Sequence, residues 1–145
     1  MTPPTSRRVP DNTADSVNRA ILEQTKANVR RASAGGPGAI ARRLDELDRE
    51  WDIERTLEAN AATVALVGCG LAAFVDRRFV LLPAAVAGFL LQHAVQGWCP
   101  PLPVFRRLGV RTQSEIDRER YALKALRGDF DRAYAPAAAV HAARG

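Results

Sequence analysis

The sequence has few aromatic residues, only two cysteines and only two lysines, and its first sixteen residues contain no apolar run. A conventional soluble core would therefore have to be built largely from alanine, leucine and valine. Two thiols make no disulfide framework, and no cysteine or histidine grouping has the spacing of a zinc site. The polar N-terminus does not predict a cleaved secretory signal. Since no catalytic grouping is evident, we expect no enzymatic activity, no cofactor and no metal.

The positive charge of the chain comes almost wholly from arginine. The formal net charge is +5, and all basic residues except Lys26 and Lys124 are arginines. These arginines alternate with aspartate and glutamate along the helical stretches, so no purely basic face forms. The pattern argues against nucleic-acid binding and suits anionic lipid headgroups.

The apolar residues are concentrated in one stretch, from Ala61 to Cys99. A helix needs about 17–25 mostly apolar residues to cross a bilayer. The second run, Phe79 to Trp98, meets that length, whereas the first run, Ala61 to Val75, reaches only about 22 Å at about 1.5 Å per residue. The short charged link at 76–78 forces the two runs to lie antiparallel. We predict an all-α fold, in which a two-helix transmembrane hairpin (about 59–75 and 79–98) is flanked by cytoplasmic or interfacial amphipathic helices.

The flanking segments are predicted from breakers and periodicity. Residues 1–10 are predicted to form a disordered tail. Residues 11–58 are predicted to form an N-terminal arm of two helices, with a break at 35–38. The second of these helices carries an apolar stripe and is expected to run without a break into the first membrane segment. Residues 100–111 are predicted to be interfacial, 112–128 to form a helix opened by a capping box, and 129–145 to be a tail. The stripe consists of Ile40, Leu44, Leu47 and Trp51.

Small residues recur every three or four positions inside both apolar runs. In lipid, helices associate through close backbone approach, which small side chains permit. We therefore expect these residues to pack the two helices against each other or against a second copy. They are Ala65, Gly68, Cys69, Ala72, Ala84 and Gly88.

Polar side chains mark the end of the second run. Gln92, His93 and Gln96 form a possible polar cluster, which would face protein or water and mark function, or would merely cross-link helices near the headgroups. Cys99 follows on the same face and is a possible thiol site. A haem or quinone contact through His93, helped by the Cys99-Pro100 pair, is a further alternative and depends on a single histidine.

Arginine counts predict the orientation of the hairpin. Both flanks are richer in arginine than the turn, which holds only Arg77 and Arg78. The positive-inside rule therefore places both termini in the cytoplasm. In the C-terminal flank we expect Arg106, Arg107 and Arg111 to contact lipid phosphate.

Two short motifs carry a family resemblance. The segments Gly97-Trp98-Cys99-Pro100 and Leu108-Gly109-Val110-Arg111, with the opening Phe79 to Pro83, resemble the YgaP-like inner-membrane transmembrane-domain family. The resemblance covers about residues 54–111 and implies a bacterial inner-membrane location, homodimers and, for most members, no established activity. Some members carry a rhodanese sulfurtransferase domain ahead of the hairpin; the N-terminal part of this sequence is too short and helical for such a domain, so we do not expect sulfur transfer by this chain alone.

The sequence thus favours a non-enzymatic membrane anchor or assembly factor, whose helical arms (11–58 and 112–128) dock a protein partner or a second copy. One alternative is a sulfur or thiol relay through Cys99. Another is a soluble helical bundle in which the hairpin forms the buried core.

Overall fold

The computed structural model describes Pro4 and residues 6–131. The described residues form helices joined by short loops and contain no strand, which confirms the all-α prediction at this level. The helices are α1 (Arg8–Asp11), α2 (Asp15–Ala34), α3 (Gly36–Arg49), α4 (Ile53–Phe74), α5 (Leu81–Gln96), α6 (Leu102–Arg107) and α7 (Gln113–Arg127), with a 3₁₀ turn at Arg77–Val80.

The chain divides into two compact units. Of the described residues, unit 1 combines those up to Ile21 with Trp51–Gln113, and unit 2 combines Leu22–Glu50 with residues 114–131. Each unit is therefore built from segments that are far apart in sequence.

Unit 2 is a small helical bundle made by the C-terminal part of α2, by α3 and by α7. Its buried apolar residues form one cluster. The stripe predicted on α3 supplies three of them, because its spacing of four and three places them on one face. The cluster consists of Ala32, Ile40, Leu44, Leu47, Ile116 and Leu123.

One ion pair is buried beside this cluster. Arg43 Nε donates to Glu119 Oε1 at 2.6 Å, and the Glu119 side chain is fully buried. Burial disfavours the charge of Arg43, but the hydrogen bonds to Glu119 and Glu46 outweigh it and raise the pKa of the guanidinium. Arg43 therefore remains charged and compensates the buried carboxylate.

The predicted continuity of α3 into the membrane segment is wrong. α3 ends at Arg49, Glu50 has extended ψ of 130°, and α4 begins only at Ile53. The Asp52 side chain accepts a hydrogen bond from the Arg55 N–H at 2.8 Å, so it caps the new helix. The stripe residue Trp51 lies in this break, about half exposed.

The break between α2 and α3 is shorter than the predicted 35–38. α2 ends at Ala34 and α3 starts at Gly36, whose φ of +76° reverses the chain. Pro37 lies in the first turn of α3, where its fixed φ and missing N–H are tolerated.

Part of the predicted N-terminal tail is ordered instead. Residues 8–11 form α1, and Val9 is 2 % exposed within an apolar cluster of unit 1. Burial of this side chain holds the segment in place. Residues 1–3 and 5 of the predicted tail lie outside the described residues, as do 132–145 of the predicted C-terminal tail.

Candidate functional site

The candidate site is the helix pair α4–α5 of unit 1, with the residues that close its base. A short turn joins the helices, and the Asp76 side chain caps it by accepting the Arg78 N–H at 2.8 Å. Pro83 lies in the first turn of α5, where proline is tolerated. Glu54, near the start of α4, reaches His93, near the end of α5, so the two helices run antiparallel.

The helices approach most closely at Gly68. A Cβ added there would lie 2.6 Å from Pro83 Cδ and 3.1 Å from Leu82 Cβ, so only glycine fits. The other five predicted packing residues are less enclosed. A Cβ on Gly88 would meet nothing within 4 Å, which places this residue away from the helix contact. Ala65 and Ala72 are half-buried, and Cys69 and Ala84 are exposed.

Most of the large apolar side chains of the pair face outwards. Leu66 is 72 % exposed, Phe74 90 %, and Leu81 71 %. Within Gly36–Phe74 and Arg77–Gln96, α4 and α5 are long and apolar enough to cross a membrane. The alternative of a soluble bundle requires these side chains to form a core, and within the described chain they are not covered.

A polar cluster closes the base of the pair. His93 is 4 % exposed, and its Nε2 lies 2.9 Å from Glu54 Oε2. The other carboxylate oxygen of Glu54 accepts from Arg8 Nη2 at 2.8 Å. Of the predicted polar cluster, only His93 takes part: the Gln92 side chain is half-buried, and Gln96 is exposed.

The N-terminal segment closes the end of α5. Arg8 Nη1 donates to the Ala94 carbonyl, and Asn12 Nδ2 donates to the Gln96 carbonyl, both at 2.9 Å. These carbonyls have no intrahelical partner at a helix C-terminus, so the two side chains satisfy them. Gly97, with φ of +80°, ends α5, and a Cβ there would lie 2.5 Å from the Arg8 carbonyl oxygen.

Sequence reasoning missed both Arg8 and Glu54. Arg8 lies in a proline-rich segment without periodicity, and Glu54 lies among many charged residues of one helix. The contact between Glu54 and His93 could have been predicted from their positions. Glu54 lies near the start of α4 and His93 near the end of α5, and an antiparallel arrangement brings these two helix ends together. No local pattern indicated that Arg8 would join them.

Cys99 is enclosed rather than accessible. It is 3 % exposed in an apolar cluster with Val9, Ile53, Leu57 and Leu102. Burial raises the pKa of the Cys99 thiol, with a further rise from the nearby Glu54 carboxylate. A reactive thiol needs access and a lowered pKa, so both observations weigh against a thiol relay.

Two of the three predicted headgroup contacts are wrong. Arg106 is 1 % exposed and donates to Asn18 Oδ1 and the Val110 carbonyl, both at 3.0 Å. Arg111 is also buried. Both side chains are enclosed in the protein and cannot reach lipid phosphate, whereas Arg107 is exposed.

Among residues 6–131, no group of three histidine, cysteine, aspartate or glutamate side chains is arranged to hold a metal ion. Comparison with protein-family models, curated proteins and solved structures finds no match to the chain.

Proposed function

We propose that the chain is a small, non-enzymatic protein of the bacterial inner membrane, an anchor or scaffold. The α4–α5 pair crosses the bilayer as a hairpin, with both termini in the cytoplasm. The helical arms, α2 with α3 before the hairpin and α7 after it, dock a protein partner or a second copy of the chain. The YgaP-like resemblance supports the same location.

The outward-facing apolar surface of the helix pair carries this proposal. Soluble monomers rarely expose a contiguous apolar patch larger than a few hundred Å². Here the exposed side chains occur on both helices and on the turn between them, as with Leu66, Phe79 and Leu91. Hydrocarbon is the solvent that covers such a surface without an energetic cost.

The helix lengths fit a bilayer. α4 has 22 residues, and at about 1.5 Å per residue it measures about 33 Å. The stretch Arg77–Gln96, a 3₁₀ turn followed by α5, reaches a similar length, against a hydrocarbon core of about 30 Å. The first turns of α4 are polar, so local bilayer thinning accommodates its shorter apolar part.

Membrane fractionation with an alkaline carbonate wash tests the location. We expect the chain to stay in the pellet, because the wash removes peripheral proteins. Leu91→Arg places a charge on the lipid-facing surface and costs about 3 kcal/mol of insertion free energy, so it lowers the pelleted fraction. The matched control is Leu126→Arg, which changes an exposed leucine of α7 and leaves the pelleted fraction unchanged. Release of the wild-type chain by carbonate would contradict the proposal.

Cysteine labelling in intact cells tests the orientation. In a Cys69→Ser, Cys99→Ala background, Arg77→Cys lies on the turn and Arg118→Cys on α7, and both positions are exposed. An impermeant maleimide is expected to label position 77 from outside and to label position 118 only after lysis. The reverse pattern would invert the topology.

Crosslinking in membranes tests the scaffold role. We expect a crosslinked homodimer or a complex with a second protein, which truncation after residue 111 weakens because it removes α7. Recovery of only the isolated chain would count against this role while leaving the membrane location intact.

A further inference from the structure

Unit 2 contains a groove between α2 and α3 that is lined by an excess of positive charge. Its volume is about 380 Å³, more than ten times the roughly 30 Å³ that one water molecule occupies in the liquid. Both helices contribute residues at spacings of three and four, so each lines the groove with one face. The polar lining residues are Asn28, Arg31, Arg42, Arg43 and Glu46.

Most of this lining is already committed to internal contacts. Arg43 donates to Glu119 at 2.6 Å and to Glu46 Oε2 at 2.7 Å. Asn28 Nδ2 lies 3.4 Å from Glu119 Oε2, and Asn28 Oδ1 accepts from Gln24 at 2.9 Å. Arg43 Nη2 also lies 3.8 Å from Glu50 Oε2, so this one guanidinium faces three carboxylates and adds no excess positive charge to the groove.

The other two arginines are uncompensated. In the part of the chain that the structure describes, Arg31 and Arg42 form no ion pair and no side-chain hydrogen bond. Both are exposed at the groove. Two like charges that line one groove repel each other, and a bound anion would remove that cost.

We propose that this groove binds a phosphate group through Arg31 and Arg42. Guanidinium groups donate paired, planar hydrogen bonds that match phosphate oxygens. One carboxylate is satisfied by a single guanidinium fork, whereas a phosphate offers enough oxygens for two. The volume accommodates a small organic phosphate as well as the free ion. The site lies within unit 2 and does not depend on the membrane location of α4–α5.

Titration of the full-length protein in a zwitterionic detergent tests the site. The probes are inorganic phosphate and glycerol phosphate, followed by NMR or calorimetry at low ionic strength, because salt screens exposed charges. We expect saturable binding that Arg31→Gln and Arg42→Gln each weaken about tenfold, the loss of one charge-assisted hydrogen bond.

Arg30→Gln and Arg49→Gln are the matched controls. They remove the same charge from exposed positions on the same two helices, outside the groove, and are expected to change the affinity less than twofold. An equal loss in these controls would show general charge attraction and overturn the proposal. Absence of binding to every phosphate probe would also overturn it.

A second arm identifies the source of the phosphate. The protein is placed in nanodiscs of phosphatidylcholine with or without phosphatidic acid. If the phosphatidic acid headgroup occupies the groove, it competes with glycerol phosphate in the wild type but not in the Arg31→Gln variant. Without competition, the groove takes a free phosphate.

Discussion

The helix pair of unit 1 and the bundle of unit 2 have opposite arrangements of polar and apolar residues. In unit 2 the leucines Leu44, Leu47 and Leu123 are buried, and most arginines face outwards. In α5 the leucines are exposed, and the buried residue of that helix is His93. One chain therefore contains helices whose leucines are buried and a helix whose leucines are exposed. Burial, and not composition alone, separates them, because both units are rich in alanine and leucine.

Polar contacts play different parts in the two regions. In unit 2 the Arg43–Glu119 pair lies beside an apolar core that already holds the helices together. In the helix pair, the Arg8–Glu54–His93 cluster closes one end, and Gly68 sets the distance between the helices.

Breaking the buried ion pair should have the largest effect. Arg43→Met keeps the apolar stem but leaves the buried Glu119 carboxylate without this charge. Removal of one partner of a buried pair costs about 3–5 kcal/mol. Thermal unfolding followed by circular dichroism, in phosphate-free buffer, measures the loss. The control Arg49→Met, at an exposed position of the same helix, should change the free energy of unfolding by no more than about 0.5 kcal/mol. Equal losses of stability in both variants would show that the Arg43–Glu119 ion pair does not stabilise the unit.

Leucine truncation compares the two regions directly. Leu47 is 1 % exposed, so Leu47→Ala leaves a cavity and costs about 2–5 kcal/mol. Leu91 faces outwards, so Leu91→Ala leaves no cavity and should change the unfolding free energy by less than about 0.5 kcal/mol. Both are measured in the same detergent. A large loss for Leu91→Ala would mean that another part of the protein covers this face.

A single methyl group tests the helix contact. Gly68→Ala forces a Cβ against Pro83, and overpacking of this kind costs about 1–3 kcal/mol. Gly88→Ala has open space around it and should stabilise α5 by about 0.5–1 kcal/mol, because alanine is the better helix former. Unfolding in mixed detergent micelles with increasing SDS measures both. If Gly68→Ala instead stabilised the protein as much as Gly88→Ala, the two helices would not meet at Gly68.

The smallest effect concerns the pH dependence of stability. The ordinary pKa of a cysteine thiol is 9.0, and burial raises that of Cys99 in the folded chain. The pKa of Cys99 is therefore higher in the folded chain than in the unfolded chain. Below about pH 9 the neutral thiol contributes fully to the free energy of unfolding, and this contribution is lost as the pH rises through the folded pKa. The melting temperature should therefore fall as the pH rises above about 9, less steeply in Cys99→Ala. If the melting temperature fell equally steeply with pH in the wild type and in Cys99→Ala, the Cys99 thiol would not contribute to this pH dependence.

Periodicity and breakers predicted the helices well where the signal is local. The stripe of α3 and the capping box before α7 depend on residues three or four apart, and both helices are present. The helix end at Arg49 was missed because neither glycine nor proline marks it; the signal was the Asp52 cap. Arg106 and Arg111 were assigned to lipid from their charge alone. The burial of Arg106 depends on partners such as Asn18, which lies 88 residues away, so no local pattern could reveal it.

The N-terminal contact with α5 imposes an order on biosynthesis. Arg8 binds the carbonyl of a residue that is 86 positions later in the chain. At roughly 5–20 residues per second, the ribosome needs several seconds to make that partner after Arg8 has been polymerised. α1 therefore docks late, after α4 and most of α5 exist, although it precedes both in the chain.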